Sequence, residues 1–175
     1  MGSKSFYKAV RSQLLNRRSI ESVAAMSDDD PQCSNHLDWS SRVRQVAKRV
    51  RDAICRILPC DLAPELSNFP RAACGSTVLI LNAVIEHELG SSGQYVAGVR
   101  STDEQSHAWL ELDDLIIDLT ANQFSDVTES VIVTRDREWH DQFREITRPS
   151  ARLMEYDPET RERFEKLLQR IRAFL

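Results

Sequence analysis

The sequence predicts a single α+β domain in which helices come first and a small antiparallel sheet follows. Apolar residues recur at helical spacing through the first half of the chain, as far as Leu89. After the turn Ser91-Ser92-Gly93 the pattern changes to short apolar and alternating runs, which favour strands. No internal repeat interrupts this order. A block of helices followed by a block of strands is typical of the α+β class.

The helical half predicts three helices. The first covers about residues 4–26 and ends at the acidic, proline-containing stretch Ser27–Pro31. The second, from about Leu37 to Leu58, has the clearest periodicity, with one apolar stripe formed by Val43, Val46, Ala47, Val50, Ile54 and Ile57. The third begins near Cys74 and ends at Leu89, where Gly90 closes it. Because its apolar residues cover more than one face, we expect the third helix to be the buried central one.

The second half predicts strands and then helices again. Strands are expected over Gln94–Arg100, His107–Leu112 and Leu115–Leu119, with a further short one at Val131–Val133. Asp113-Asp114 is predicted to form a tight turn between the second and third strands. Two C-terminal helices are predicted over Arg137–Ile146 and Pro158–Phe174.

These elements divide the predicted domain, residues 1–175, into three parts. A helical N-terminal subregion covers 1–60, a core that carries the candidate site covers 69–134, and C-terminal helices cover 137–175. At 175 residues, with 41% hydrophobic and 29% charged residues, the chain fits one ordinary domain with its own core.

Charge and hydropathy exclude several classes of function. A formal net charge of -4 argues against broad binding to nucleic acid, and no apolar run of about eighteen residues predicts a membrane span. The charged residues Lys4, Lys8 and Arg11 interrupt any signal-peptide core. We therefore expect a cytoplasmic protein with reduced cysteines. The basic stretch Arg42–Arg56 is interpreted as a solvated helix face, and the alternative is a surface that binds an acidic partner.

Cys74 is the first candidate for chemistry because it stands where the third helix is predicted to begin. The N-terminus of a helix exposes unpaired N–H groups and a partial positive charge, which together stabilise a thiolate. Its small neighbours, Ala72, Ala73, Gly75 and Ser76, leave room for a substrate backbone. The alternative reading is a buried structural cysteine.

His107 and Asp118 are predicted to meet across the hairpin. If Asp113-Asp114 forms its turn, Asp118 lies opposite Trp109, and a two-residue diagonal on the same face reaches His107. An acid that follows three apolar residues is costly to bury without a hydrogen-bonding partner. The pair would supply a base and the group that orients it.

The order of these three residues resembles the papain-like superfamily, especially its transglutaminase-like and bacterial thiol-protease branches. The similar segments are Ala73-Cys74-Gly75-Ser76, His107-Ala108-Trp109-Leu110-Glu111 and Ile117-Asp118-Leu119-Thr120, within residues 69–124. The resemblance implies a central helix packed on a small antiparallel sheet, and a thiolate that attacks an amide or ester carbonyl through a thioester. Transglutaminases often carry an aromatic residue just before this motif, where the chain has Arg71-Ala72-Ala73, so cross-linking activity is disfavoured.

The resemblance also directs attention to groups around the three residues. The backbone N–H of Cys74 is one donor for an oxyanion. Asn68, six residues earlier, matches the spacing of the amide donor in papain-like proteases, and Gln123 is its competitor. Trp109, with Trp139, is a candidate wall of the substrate cleft, although core packing is the default for tryptophan. His36, His87 and His140 are expected to be structural or solvated.

Three functions remain open at this point. The leading one is a cysteine peptidase or amidase with a Cys74-His107-Asp118 triad and a peptide or protein substrate. The second keeps the triad but transfers the acyl group to an amine or deamidates a protein glutamine. The third is a non-catalytic interaction module that binds an acidic partner through Arg42–Arg56. We expect neither a metal nor another cofactor, because Cys55 and Cys60 are spaced too far apart for a zinc-ligand pair.

Overall fold

The computed structural model describes residues 33–57 and 64–175, and side chains from Trp39 onward. The helices in these ranges are α1 (Cys33–Arg56), α2 (Cys74–Leu89) and α3 (Pro158–Arg172). The strands are β1 (Gln94–Arg100), β2 (Ser106–Leu112), β3 (Leu115–Asp118), β4 (Ile132–Thr134) and β5 (Phe143–Thr147). The predicted α+β class is confirmed. The helix predicted over residues 4–26 lies outside the described residues.

The five strands form one antiparallel sheet in the order β4-β3-β2-β1-β5. The hairpin of β2 and β3 turns at Asp113-Asp114 and pairs Leu110 with Ile117, which is the predicted register. Asp113 adopts a left-handed φ of 54°, a conformation that aspartate tolerates in tight turns. The alternation of β2 therefore places His107 and Trp109 on one face of the sheet and Ala108 and Leu110 on the other.

The three helices cover one face of the sheet. The main core contains the apolar stripe predicted for α1, most of α2, the buried side of α3 and the sheet residues on the Ala108 face. The opposite face, here called the outer face, carries a smaller cluster made mainly of aromatic side chains: Val96, Trp109, Ile116, Phe124 and Phe143, with Trp139 packed against it. His107 and Asp118 belong to the strands that separate these two layers.

Helix α2 has the predicted bounds and is the central helix. Val78, Leu79, Ile80, Leu81, Val84 and Ile85 are all buried, because the sheet lies on one side of α2 and the other helices on the other. The helix ends where Gly90 takes a left-handed φ of 71° and donates its N–H to the carbonyl of Glu86. Buried Asn82 ties the helix to the entry of β1, because its Oδ1 accepts the N–H of Gly93 at 2.8 Å.

The basic stretch Arg42–Arg56 is only partly solvated. The guanidinium groups of Arg44 and Arg51 are half-buried and donate to the backbone carbonyls of Val133 and Leu119, at β4 and at the end of β3. The expectation of a solvated face is therefore wrong for these two arginines, which fasten α1 to the sheet. Arg42, Lys48, Arg49 and Arg56 are exposed, as predicted, and Arg49 pairs with Glu88.

The helix predicted over Arg137–Ile146 is wrong. Residues His140–Gln142 form a single 3-10 turn, and β5 follows directly. The strand forms because it completes the open edge of β1, with Phe143 buried on the outer face, and this long-range pairing outweighs local propensity. Within the described residues, the C-terminal part of the chain therefore has one helix, α3, whose N-cap Asp157 accepts the N–H of Thr160 at 2.9 Å.

Residues 135–142, here called the crossing segment, connect opposite edges of the sheet, because β4 and β5 are its two outermost strands. The segment passes over the outer face, where Trp139 packs on the aromatic cluster. Hydrogen bonds help to hold it there: Arg137 donates to Glu111 at 2.8 Å, and the indole of Trp139 donates to Asp126 at 2.9 Å. No helix in the described ranges has the length and apolar character needed to cross a membrane.

Candidate active site

The hairpin brings His107 and Asp118 into direct contact. Nε2 of His107 lies 2.6 Å from Oδ2 of Asp118, and the two residues are 0% and 2% exposed. The contact follows from the register, since the residues are diagonal neighbours on one face of β2 and β3. A carboxylate has no proton to donate, so Nε2 of His107 carries the hydrogen.

The carboxylate of Asp118 has four donors. Oδ1 accepts the backbone N–H of Thr120 at 2.8 Å and its hydroxyl at 3.2 Å. Oδ2 accepts from Nε2 of His107 and, at 3.1 Å, from Nε2 of His140. Burial alone would raise the pKa of Asp118, but the charge and hydrogen bond of His107, with the bond from His140, hold it well below its usual range. Asp118 is therefore ionised.

His107 is charged at neutral pH for the complementary reason. Burial alone would lower its pKa, but the charge and hydrogen bond of Asp118, with a smaller contribution from the Cys74 thiol, raise it to about 10. Cys74 is thus a neighbour of the imidazole. Cys74 is half-exposed and is the first residue of α2. The residue at the N-cap of α2, Ala73, makes no side-chain hydrogen bond, so no capping side chain occupies the free N–H groups of the first turn.

The remaining ring nitrogen of His107 faces Gln123. Nε2 of Gln123 lies 3.1 Å from Nδ1 of His107, and the Gln123 side chain is half-buried in the 3-10 turn Ala121–Gln123. A neutral ring accepts the amide proton at Nδ1, and an imidazolium would need the amide turned by half a revolution so that Oε1 accepts. The amide can therefore serve both protonation states of His107.

Aromatic rings enclose His107. The ring centroids of Phe124, Phe143, Trp139 and Trp109 lie 5.1, 5.4, 5.7 and 5.9 Å from that of His107. Trp109 is 2% exposed and also borders the narrow gap between Cys74 and the sheet. These rings keep water from the bond between His107 and Asp118. Whether Trp109 contacts a substrate stays a prediction.

The structure groups most of the predicted site residues but leaves Asn68 aside. Cys74, His107, Asp118, Trp109 and Gln123 meet at the ends of β2 and β3 and the start of α2. Asn68 is exposed in the preceding turn, where its carbonyl accepts the N–H of Arg71 at 2.8 Å. Gln123 is thus the better-placed side-chain amide.

Two residues that the sequence analysis missed complete the cluster. Thr120 follows Asp118 by two positions, the spacing at which an aspartate accepts a backbone N–H in an Asx-turn, so this contact has a sequence signal. His140 has none, because it comes from the crossing segment, 22 positions after Asp118, and the predicted helix there was wrong. It is 2% exposed and not solvated.

Among the described residues, His107, Asp118 and His140 are the group that could hold a metal ion. One ligand atom from each lies within 4.8 Å of the others. Nitrogen and oxygen are suitable ligands for zinc. The two nitrogen–oxygen distances of 2.6 and 3.1 Å are those of hydrogen bonds, so a cation here would compete with the two ring protons and would have to push His107 and Asp118 apart.

Comparison with protein-family models, with curated proteins and with solved structures found no match. The chemistry of the site is therefore argued from its geometry. A half-exposed thiol at a helix N-terminus, an imidazole beside it and a buried carboxylate on the far side of the imidazole can together generate a nucleophile and transfer its proton.

Proposed function

We propose that the protein is a cytoplasmic cysteine peptidase or amidase of the transglutaminase-like type, within the papain-like superfamily, that acts on a peptide or protein substrate. Cys74 is the nucleophile, His107 the base and Asp118 the group that orients the base. The observation that carries the proposal is the fully buried bond of 2.6 Å between His107 and Asp118, beside the half-exposed Cys74. A buried ion pair of this kind is costly to maintain for structure alone.

Because His107 is charged at neutral pH, its Nδ1 already carries a proton at rest, and Cys74 reacts as the thiolate of this ion pair. The thiolate attacks the substrate carbonyl carbon, and the imidazolium then gives its proton to the departing amine as the carbon–nitrogen bond breaks. This leaves a thioester on Cys74. His107 next takes a proton from water, the hydroxide attacks the thioester, and the carbon–sulfur bond breaks to release the carboxylic acid and the thiolate of Cys74, which restores the resting ion pair with His107. Asp118 stays ionised throughout and stabilises the imidazolium.

Gln123 contacts His107 and is also the proposed side-chain donor to the oxyanion. Its amide lies 3.1 Å from Nδ1 of His107 and must move away for the sulfur of Cys74 to contact the proton on that nitrogen. A turn of this half-buried side chain toward Cys74 would present its N–H to the developing oxyanion, together with the backbone N–H of Cys74. Asn68 is too exposed to be the preferred donor.

The first experiment measures alkylation by iodoacetamide from pH 5 to 9, with mass spectrometry of each cysteine-containing peptide. Cys55 is exposed and serves as the internal control for an ordinary thiol. We expect Cys74 to label at pH 6 at least tenfold faster than Cys55, because the neighbouring imidazolium stabilises its thiolate. His107→Gln should remove most of this advantage. Equal rates for the two cysteines in the wild-type protein would contradict the proposal.

The second experiment identifies the acceptor of the acyl group. The wild-type protein and Cys74→Ser are incubated with a peptide library, and the products are separated by mass. New peptide termini that require Cys74 would support the peptidase. Ammonia release without chain cleavage would instead indicate deamidation, and products joined to an added amine would indicate acyl transfer.

A further inference from the structure

We propose that His140 is a positioning residue for this reaction, which holds the carboxylate of Asp118 against Nε2 of His107. The inference rests on the proposed function, because it concerns the same site. Two histidines from distant parts of the chain direct Nε2 to one oxygen, Oδ2 of Asp118, at 2.6 Å for His107 and 3.1 Å for His140. His140 therefore acts through Asp118 and not on the substrate.

The hydrogen-bond capacity of Asp118 explains why the second histidine matters. A carboxylate offers about four acceptor positions, and Thr120 fills two of them at Oδ1. The other two, at Oδ2, belong to His107 and His140. All four donors are protein groups, so rotation of the carboxylate about its Cβ–Cγ bond would break the whole set. Without His140, Oδ2 would be held by a single bond, to the group whose proton affinity must change during the reaction.

The surroundings of His140 keep its ring in place. Its centroid lies 4.8 Å from that of Trp139 and 5.0 Å from that of Trp109, both edge-to-face. The residue is 2% exposed, so water has little access to replace its hydrogen bond. Because Asp118 can only accept, the ring of His140 must carry its hydrogen on Nε2.

Within the part of the chain that the structure describes, few charged or titratable groups act on Asp118 or His107, and each comes from a different element. His107 lies on β2, His140 on the crossing segment, and the thiol of Cys74 acts on His107 from α2. The guanidinium of Arg51, on α1, is near enough to sense the charge of Asp118. A variant at position 140 leaves the other three in place.

The test compares two variants of nearly equal size. His140→Gln can present an amide N–H to Oδ2, and His140→Met fills a similar volume without a donor. The readout is the pH midpoint of iodoacetamide labelling at Cys74. We expect the midpoint to rise by about one pH unit in the methionine variant, which is about tenfold slower labelling on the acid side, and to stay within about threefold of wild type in the glutamine variant. The same shift in both variants, or no upward shift with methionine, would overturn the proposal.

Imidazole nitrogen NMR of the wild-type protein keeps the proposal testable if the methionine variant does not fold. With ¹⁵N-labelled histidine, His140 should show hydrogen on Nε2, directed at Asp118. A ring with its hydrogen on Nδ1 and none on Nε2 would refute the role of His140. Failure of the proposed function looks different, because wild-type Cys74 would then label no faster than Cys55 while the tautomer of His140 is unchanged.

Discussion

The buried pair of His107 and Asp118 should make the free energy of unfolding fall as the pH rises above about 6.5. In the unfolded chain histidine has a pKa of about 6.5, whereas in the folded protein the charge of Asp118 outweighs burial and raises it to about 10. A group whose folded pKa is raised contributes its stability fully below the unfolded value. That contribution is lost as the pH rises toward the folded value.

The size of the effect follows from one proton. Between the two pKa values of His107, the folded state binds about one proton more than the unfolded state, so the free energy of unfolding falls by at most about 1.4 kcal/mol per pH unit. From pH 7 to pH 9 the loss should be about 2–3 kcal/mol. This is a large part of the 5–15 kcal/mol that is typical of a domain.

At low pH, protonation of Asp118 should weaken the same ion pair. The pKa of Asp118 is lowered by its partners, so its contribution is present above the ordinary value of about 3.9 and is lost as the pH falls below it. The pKa shifts of His107 and Asp118 arise from the same interaction, so its contribution to the free energy of unfolding is counted once. The pair therefore contributes most between about pH 4 and pH 6.5.

The assay is urea unfolding at pH 5.5, 7, 8 and 9, in a Cys74→Ser background so that the thiol does not titrate. The matched control adds His107→Gln. We expect the fall from pH 7 to pH 9 in the histidine protein and a nearly flat profile in the control, and the difference between them isolates the pair. A flat profile with His107 present, or equal slopes in both proteins, would refute the reasoning.

Two further predictions concern the scaffold, and both are measured by urea unfolding at pH 6. Arg51→Met should lower the free energy of unfolding by about 1–2 kcal/mol, because the carbonyl at the end of β3 loses its donor, whereas Arg56→Met, exposed on the same helix, should change it by about 0.5 kcal/mol or less. Gly93→Ala should cost about 3 kcal/mol, because a Cβ there would lie 2.3 Å from the carbonyl oxygen of Glu111. Gly90→Ala should cost only about 1 kcal/mol, since nothing lies within 4 Å and only the φ of 71° is unfavourable. Equal losses within either pair would contradict the corresponding argument.

The hairpin of β2 and β3 shows how much of the site the sequence can predict. The side-chain period of a strand is two, and a short polar turn fixes the register, so the pairing of Leu110 with Ile117 and the diagonal contact of His107 with Asp118 follow from local pattern alone. The bounds of α2 are equally local, because an apolar run and a closing glycine define them.

His140 and Arg51 show what the sequence could not predict. Their roles depend on which distant segment packs beside them. The chain after Thr134 has a helix-like pattern, and it becomes a turn and a strand because the edge of β1 is open for pairing. In the sequence, Arg51 belongs to a basic stretch that is typical of a solvated helix face. In the structure, it donates to the carbonyl of Leu119 at the end of β3. Both contacts are set by the tertiary arrangement, which local periodicity does not encode.

The crossing segment makes the contact between His140 and Asp118 depend on both edges of the sheet. Edge strands are usually the first parts of a sheet to open, and each commonly does so independently. Here one connection of eight residues, 135–142, begins at one edge and ends at the other, and it carries His140 between them. Fraying of either edge strand therefore draws His140 away from Asp118. On heating, the labelling of Cys74 by iodoacetamide should slow before the helical layer unfolds.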